Sequence, residues 1–519
     1  MLRVTGHLGR ELSKVAYLTD VEGNWAYFVR CVEASPVLSF AEATSDEAVE
    51  ALAAARIESG VGSQAEALAA LRAFPPHALR LAPDAGLVFG GDVFDRGLGD
   101  ITCLTALVGI KERYPDRVFW TLGNRDINKA RLASELADPA ELARHPAAVG
   151  GPYWVPKLFR HPWELYLARK GLLGSSWQHD GFTKLRYLLQ RTMGCDGRTI
   201  AHRRLELAVL AGGGPEDVRS VSDADVLRSF TTLVAPDPDS LFARYLRYGS
   251  VAVRLGDALF VHGAVDQPSL AVVPSWVGYR SDRRASADVP YAAYPPMVSA
   301  PAPTALEDMD VDAWVRDINA WIQSEVSDWL DHPHYDADRC HRGGEGLIGY
   351  ANQSCMSSRT VVYNSWLTNG HPVAPGPGLA GALAGAGIRR VFSGHQPFGD
   401  HPLVMKAHGV KVVTADTSYS DVNADDNRGA AVASIVCNLD PSAPDTHITG
   451  RLACGAGFDF LVDADDLIGR HCYSSVGSEW ITAYLPGSSH YVLRSGAGFD
   501  VSHRLVSPDE ALAVVTSGV

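Results

Sequence analysis

Six stretches of this chain pair a short apolar run with residues able to bind a metal or a phosphate: Asp20-Val21-Glu22, Gly91-Asp92-Val93-Phe94-Asp95-Arg96-Gly97, Gly123-Asn124-Arg125-Asp126, His262-Gly263, Gly394-His395 and Asp416. Carboxylates, an amide oxygen and imidazoles together suit divalent ions such as Mn, Fe, Ni, Co or Zn. Two such ions about 3.5–4 Å apart can activate a water and clamp phosphoryl oxygens. Taken singly, each stretch reads more simply as a turn: Asp-Arg-Gly as a capped turn, Gly-His as structure, Gly-Asn as a left-handed corner. Their conjunction, in this order and with this mixture of donors, favours a dinuclear site for phosphate chemistry.

Within that reading Asp92, at a glycine turn after a strand, is the candidate bridge between the ions. Asp20 and Glu22 hold one ion, since i and i+2 share a side of an extended chain. Asn124, His262 and His395 hold the other. Arg96 and Arg125 adjoin these ligands, and a guanidinium grips phosphate in two-pronged fashion without losing its charge. Asp95, Asp126 and His401 join the two arginines as candidate catalytic groups. Arg359, within Ser357-Ser358-Arg359-Thr360, and Asp416 are further candidates on the phosphate side.

Strands must position these groups. Val15-Ala16-Tyr17-Leu18, Leu87-Val88-Phe89, Val118-Phe119-Trp120, Ala258-Leu259-Phe260-Val261, Val391-Phe392 and Lys411-Val412-Val413 are short β-type runs that precede them. Short apolar runs bounded by glycine match buried strands of an α/β sheet. Ligands of such sheets gather beyond the carboxyl ends of the strands, so distant segments can share one cleft.

The core is expected over 1–126 and 249–438, with helices inserted at about 41–82. Residues 127–248 carry amphipathic stretches and suit a helical cap. Residues 439–519 read as a β-rich accessory region with Gly-Ala-Gly-Phe-Asp twice, at 455–459 and 496–500. Two copies fall short of a repeat array.

Bulk properties narrow the function. With 519 residues, 46% of them hydrophobic, the chain can bury a large core. It carries 60 Asp+Glu against 46 Lys+Arg, a formal charge of -14, which argues against a nucleic-acid duplex as partner. No apolar run of about 18 residues suggests a membrane span, and the N-terminus lacks signal-peptide character. The 8 cysteines are scattered without a C-x-x-C pair, so reduced thiols and a cytoplasmic location are expected.

The segments resemble the calcineurin-like metallophosphoesterase superfamily, and most of all its phosphoprotein-phosphatase and diadenosine-tetraphosphatase branch. That pattern is D-x-H, G-D-x-x-D-R-G, G-N-H-[DE], a glycine-flanked His and a final G-H. Gly91–Gly97 matches its second element in full. The resemblance, over about residues 15–425, implies a four-layer αββα sandwich of two mixed sheets. It also implies metals at one edge of the sheets and in-line attack by a metal-bridging hydroxide; of the two divalent ions expected, Mn²⁺ comes first, with Fe, Ni, Co, Zn or Mg as alternatives. Glu22 stands where the pattern has His, which shifts that half towards harder ions. Arg125 stands where relatives carry an acidic His, so its role is electrostatic. The leaving-group proton then comes from Asp126, His401 or water, or a good leaving group needs none. Asp416 either contacts a metal-bound water, orients His395, or caps the turn that follows it.

The expected substrate is a small phosphorylated metabolite, a nucleotide or sugar phosphate, because a cap encloses small ligands. Tyr153, Trp154, Lys157, Arg160 and Trp163 can line such a pocket, or form ordinary core of the insertion. A phosphoserine/phosphothreonine protein, a diester or a dinucleotide polyphosphate are alternatives, and an inactive metal-binding scaffold is the remaining one.

Overall fold

The computed structural model describes residues 12–137, 162–174, 180–195, 197–275, 298–299, 310–335, 342–351, 360–417, 429–474, 477–498 and 500–516. The expected contributions of Arg359, Tyr153, Trp154, Lys157 and Arg160 lie outside the described residues.

The chain enters on β1 (Lys14–Leu18), passes α1 (Trp25–Ala34), and makes α2 (Asp46–Glu58) and α3 (Gln64–Ala73), the helices expected within 41–82. Ser45 and Ser63 cap these two by accepting the Ala48 and Glu66 amides. β2 (Ala85–Phe89), α4 (Asp100–Arg113), β3 (Val118–Trp120) and α5 (Asn124–Asn128) follow. The described part of 127–248 is helical, including α6 (Arg198–Leu210) and α7 (Leu241–Tyr248). The second half supplies β4 (Ala252–Leu255), β5 (Ala258–Val261), α8 (Val311–Asp331), α9 (Pro377–Gly385), β6 (Arg390–Ser393), β7 (Leu403–Ala407) and β8 (Val410–Thr414). It ends with β9 (Val432–Asn438), β10 (Thr446–Arg451), β11 (Gly457–Leu461), β12 (His471–Ser474), β13 (Gly477–Leu485), β14 (His490–Ala497) and β15 (Asp500–Val506).

These strands build two mixed sheets, ordered β11-β10-β9-β1-β2-β3 and β7-β8-β6-β5-β4. Alternation along each strand stacks them. Val15 and Tyr17 of β1 face the second sheet, whereas Ala16 and Leu18 join the helical side; β5 repeats this, with Ala258 and Phe260 inward and Leu259 and Val261 outward. Tyr17 meets Phe260 at 5.6 Å and Phe392 at 5.4 Å, and those two phenyl rings stack at 4.7 Å. α1 covers the first sheet at β9, and α8 and α9 cover the second at β4 and β8. The result is the expected αββα order of layers.

The tail is divided differently from the expectation. β10 and β11 continue the first sheet, with Ile435 paired to Ile448 and Ile448 to Phe460. The boundary expected at 439 therefore falls inside a sheet. Only β12–β15 form a sheet of their own, and its Ile481, Ala483, Val492 and Leu493 share the core of Tyr17 and Phe392. No described helix is long and apolar enough to cross a membrane.

Candidate metal centre and phosphate cleft

Register places the ligands. β1, β2 and β3 run parallel, with Leu18 opposite Phe89 and Phe89 opposite Trp120. β5, β6 and β8 are likewise parallel, with Phe392 between Phe260 and Val413. The residues just beyond, Asp20, Asp92, Asn124, His262, His395 and Asp416, thus leave the two sheets at one edge. Backbone bonds fix their order: Asp20 N to Gly91 O at 2.9 Å, Glu22 N to Asp92 O at 2.9 Å, and Gly394 N to His262 O at 2.8 Å.

Eight described non-glycine residues have positive φ, and Asp20, Glu22, Asp92 and His395 are four of them. Each such conformation costs about 1–3 kcal/mol and persists only where surrounding structure imposes it. Half of that strain sits on predicted ligands. Gly91, at φ +96°, is required there: a Cβ would meet Gly123 N at 2.6 Å and His262 Nδ1 at 2.8 Å.

The imidazole-bearing half is well formed. One donor atom each from Asp92, His262 and His395 lies within 4.8 Å of the others. Asn124 Oδ1 is 3.1 Å from His262 Nε2 and 3.0 Å from His395 Nδ1. His262 Nδ1 lies 2.7 Å from the Gly90 carbonyl and donates to it, which leaves Nε2 turned to the cluster; burial would lower the ring's pKa, but Asp92 and the Gly90 carbonyl hold it above its ordinary value. Nε2 then faces Asp92 Oδ1 at 3.4 Å as well as Asn124 Oδ1. Carboxylate and amide oxygens and imidazole nitrogens converging in a dry pocket suit a divalent cation. Burial pushes the Asp92 carboxyl up, but His262, Arg125 and His395 together hold it below its ordinary value. Burial and then His262 depress His395 to about 3, so that ring stays unprotonated and able to bind a metal.

The carboxylate half differs. Asp20 is fully buried; burial, then Asp416 and Asp92, drive its carboxyl well up. Both its oxygens accept from the His395 amide, at 3.0 and 3.1 Å. Three carboxylates drawn together, Asp20 beside Asp416 and Asp92, again fit a cation. Glu22 does not lie in the metal cluster. Its Oε2 takes Arg96 Nη2 at 3.0 Å and Nε at 3.3 Å.

Behind the arginines, buried Asp95 accepts Lys129 Nζ at 2.6 Å and lies 3.5 Å from Arg125 Nη1 and 3.7 Å from Arg96 Nε. Burial alone would raise its carboxyl; Lys129, Arg125 and Arg96 outweigh this and hold it far below the usual range. Asp95 therefore positions both guanidinium groups, and Cys195 Sγ completes its surroundings at 3.2 Å.

Two expected proton sources are corrected. Asp126 points away from the cleft and accepts the amides of Asp92 at 2.9 Å, Val93 at 2.8 Å and Gly123 at 2.9 Å, and the Tyr245 hydroxyl at 2.8 Å. Burial, then Asp92, raises it to about 7, but its oxygens are occupied as a brace. His401 is buried between Asp400, 3.1 Å from Nδ1, and Thr482, 2.9 Å from Nε2. It packs on Phe458 and does not line the cleft.

The cleft itself has a volume of about 510 Å³. Glu22, Asp92, Arg96, Asn124, Arg125, His395 and Asp416 line it with Tyr363, a residue no motif reveals. Thr192, Met193 and Gly194 of the insertion form one wall, and Gly370 and Gly498 another. The insertion is docked firmly: Arg203 pairs with Asp100 at 3.0 Å, Glu206 accepts Thr102 N at 2.9 Å, and His202 Nδ1 lies 2.7 Å from Arg96 O. Trp163, proposed for the pocket, is buried against Tyr166 and Tyr187 as core of the insertion.

No family model and no curated protein matches the chain. Among solved structures it is similar to a cold-active protein-tyrosine phosphatase of the psychrophile Shewanella sp., at 12% identity over 86% of this chain and 80% of that one, with a TM-score of 0.36. It is also similar to a protein serine/threonine phosphatase from Saccharomyces cerevisiae with similarity to human phosphatase PP5, at 11% identity over 82% and 72%, with a TM-score of 0.29. At these scores the chemistry has to be read from the residues.

Proposed function

We propose that this chain is a dinuclear metal-dependent phosphatase, of the calcineurin-like kind, that hydrolyses a small phosphate monoester. The observation that carries the reading is the meeting of Asp92, Asn124, His262 and His395 with Arg96 and Arg125 at one cleft. Asp92, Asn124, His262 and His395 would hold one ion; Asp20 and Glu22, sharing Asp92, would hold the other, with manganese the best match to the mixed oxygen and nitrogen donors. Bound divalent ions supply an activated water and take up phosphoryl charge. Arg125 and Arg96 bind the phosphate oxygens; neighbouring Asp95 and Glu22 raise both guanidinium groups above their ordinary value, so both stay charged. A cleft of about 510 Å³ falls within the roughly 300–1,000 Å³ of small-molecule sites, which supports a metabolite over a folded protein.

The test is elemental analysis for metal, then phosphate release from a panel of metabolites and phosphopeptides with added Mn²⁺. About two metals per chain and release from one metabolite class is the expected result. Asp92→Asn should lower release at least about 10²-fold and reduce bound metal. Undiminished release in that variant would remove the assigned site, and faster release from phosphopeptides would overturn the small substrate.

A further inference from the structure

The phosphatase reading leaves one chemical need unmet. A poor leaving group departs as an oxyanion, and a donor aimed at that oxygen lowers the barrier. Asp126 and His401 are engaged elsewhere. Arg125 adjoins Asp92 through its amide, which donates to Asp92 Oδ1 at 2.8 Å, while its side chain bonds Met193 O at 3.1 Å. Among cleft hydroxyls, Thr192 spends its proton on Leu188 O at 2.7 Å.

Tyr363 remains. It lines the cleft beside Asp92, Arg125 and His395. Its ring stands edge-on to His395, with centroids 4.9 Å apart. Its turn is anchored: the Tyr363 amide bonds Thr360 Oγ1 at 2.9 Å, and Gly263, next to His262, bonds Val361 O at 2.8 Å. Val361 and Val362 are fully buried. The phenol is thus held against the metal centre by the strand-end loop that carries His262. A phenolic O–H is also a stronger donor than the side-chain amide N–H of Asn128 or Gln396, which line the cleft with it, while Asn124 is set aside as a candidate metal ligand.

Resting on the phosphatase reading, we propose that Tyr363 is a catalytic residue that donates a hydrogen bond to the leaving-group oxygen of the bound ester. The need for such a donor grows as the leaving group worsens, so the role predicts discrimination between alkyl and activated aryl esters.

The experiment compares the Mn²⁺-loaded full chain with its Tyr363→Phe variant on glycerol phosphate and p-nitrophenyl phosphate. Phenylalanine keeps the ring against His395 and removes only the hydroxyl. Expected are a fall of about 10²-fold in kcat on the alkyl ester, little change on the aryl ester, and unchanged manganese content. Equal losses on both esters, or a loss accompanied by lost manganese, would reduce Tyr363 to a support for His395. An undiminished rate on glycerol phosphate would also overturn the role. If the wild type cleaves neither ester, the phosphatase reading itself falls and this inference falls with it.

Discussion

Glu22 is asked to serve two partners. Its Oε2 already receives two nitrogens of Arg96, yet in the proposed dinuclear site a second ion would need that same carboxylate. An ion there has to share or displace the guanidinium, so metal binding and the freedom of Arg96 are linked, and linkage is reciprocal. Arg96→Gln should therefore tighten the weaker of two Mn²⁺ by about five-fold or more in a calorimetric titration. Arg125→Gln removes an equal charge but leaves Glu22 paired, so its gain should be smaller. Equal gains would mean that general charge alone acts and that the Glu22–Arg96 pair is incidental. At this scale the sequence showed which residue types stand in each motif, including Glu22 and Arg125 at altered positions. It did not show their pairing, because an ion pair between residues 22 and 96 depends on the approach of two strand ends. Tyr363 was invisible for a related reason: a lone tyrosine after two valines has no motif, and only the fold brings it to His395.

Between elements, Asp126 is the joint. One carboxylate ties the loop after β2 (Asp92 and Val93 amides), the entry to α5 (Gly123 amide) and α7 of the insertion (Tyr245 hydroxyl). A hydrogen bond contributes about 0.5–1.5 kcal/mol, more when its acceptor is charged, and a buried donor left unpaired costs about 1–3. Asp126→Asn puts an NH₂ group against amide donors, so it should cost on the order of 2–4 kcal/mol in chemical denaturation. Tyr245→Phe removes one bond and should cost about 1–2 kcal/mol. A loss in Tyr245→Phe as large as in Asp126→Asn would contradict a joint centred on the carboxylate. The strand ends themselves were legible, because apolar runs before Gly-Asp, Gly-Asn and Gly-His describe parallel strands reaching one edge. The side that Asp126 faces was not: on a helix i and i+2 lie on opposite faces, and in α5 Asp126 turned inward while Asn124 turned to the cleft.

Across the whole molecule, the third sheet is part of the core, and His401 sits on that contact. Its ring bridges Asp400, beyond β6, and Thr482 of β13, while Arg494 of β14 bonds the His401 carbonyl at 3.1 Å. The tail looked separable in the sequence because its composition changes near 440, but composition does not report that β10 pairs with β9 or that Ile481 shares a core with Tyr17. Burial, then Arg494, depresses His401 to about 3, against the opposing pull of Asp400 and with His503 also nearby. An unfolded histidine titrates near 6.5. Between these values the unfolded chain binds a proton that the folded chain refuses, so this group makes stability rise with pH and lost as pH falls from about 6.5 towards 3. One proton sets a slope of at most about 1.4 kcal/mol per pH unit. Asp400 is held low by burial-opposing contacts with His401 and acts in the same direction at lower pH. His401→Gln keeps hydrogen-bonding groups but has no proton to take up. Denaturation midpoints at pH 7, 6, 5 and 4 should fall less steeply in His401→Gln than in the wild type, and the difference should open below about pH 6. Parallel profiles would mean that the ring is already protonated in the fold, paired to Asp400 as a charge, and that the contact between the third sheet and the core is ionic rather than neutral.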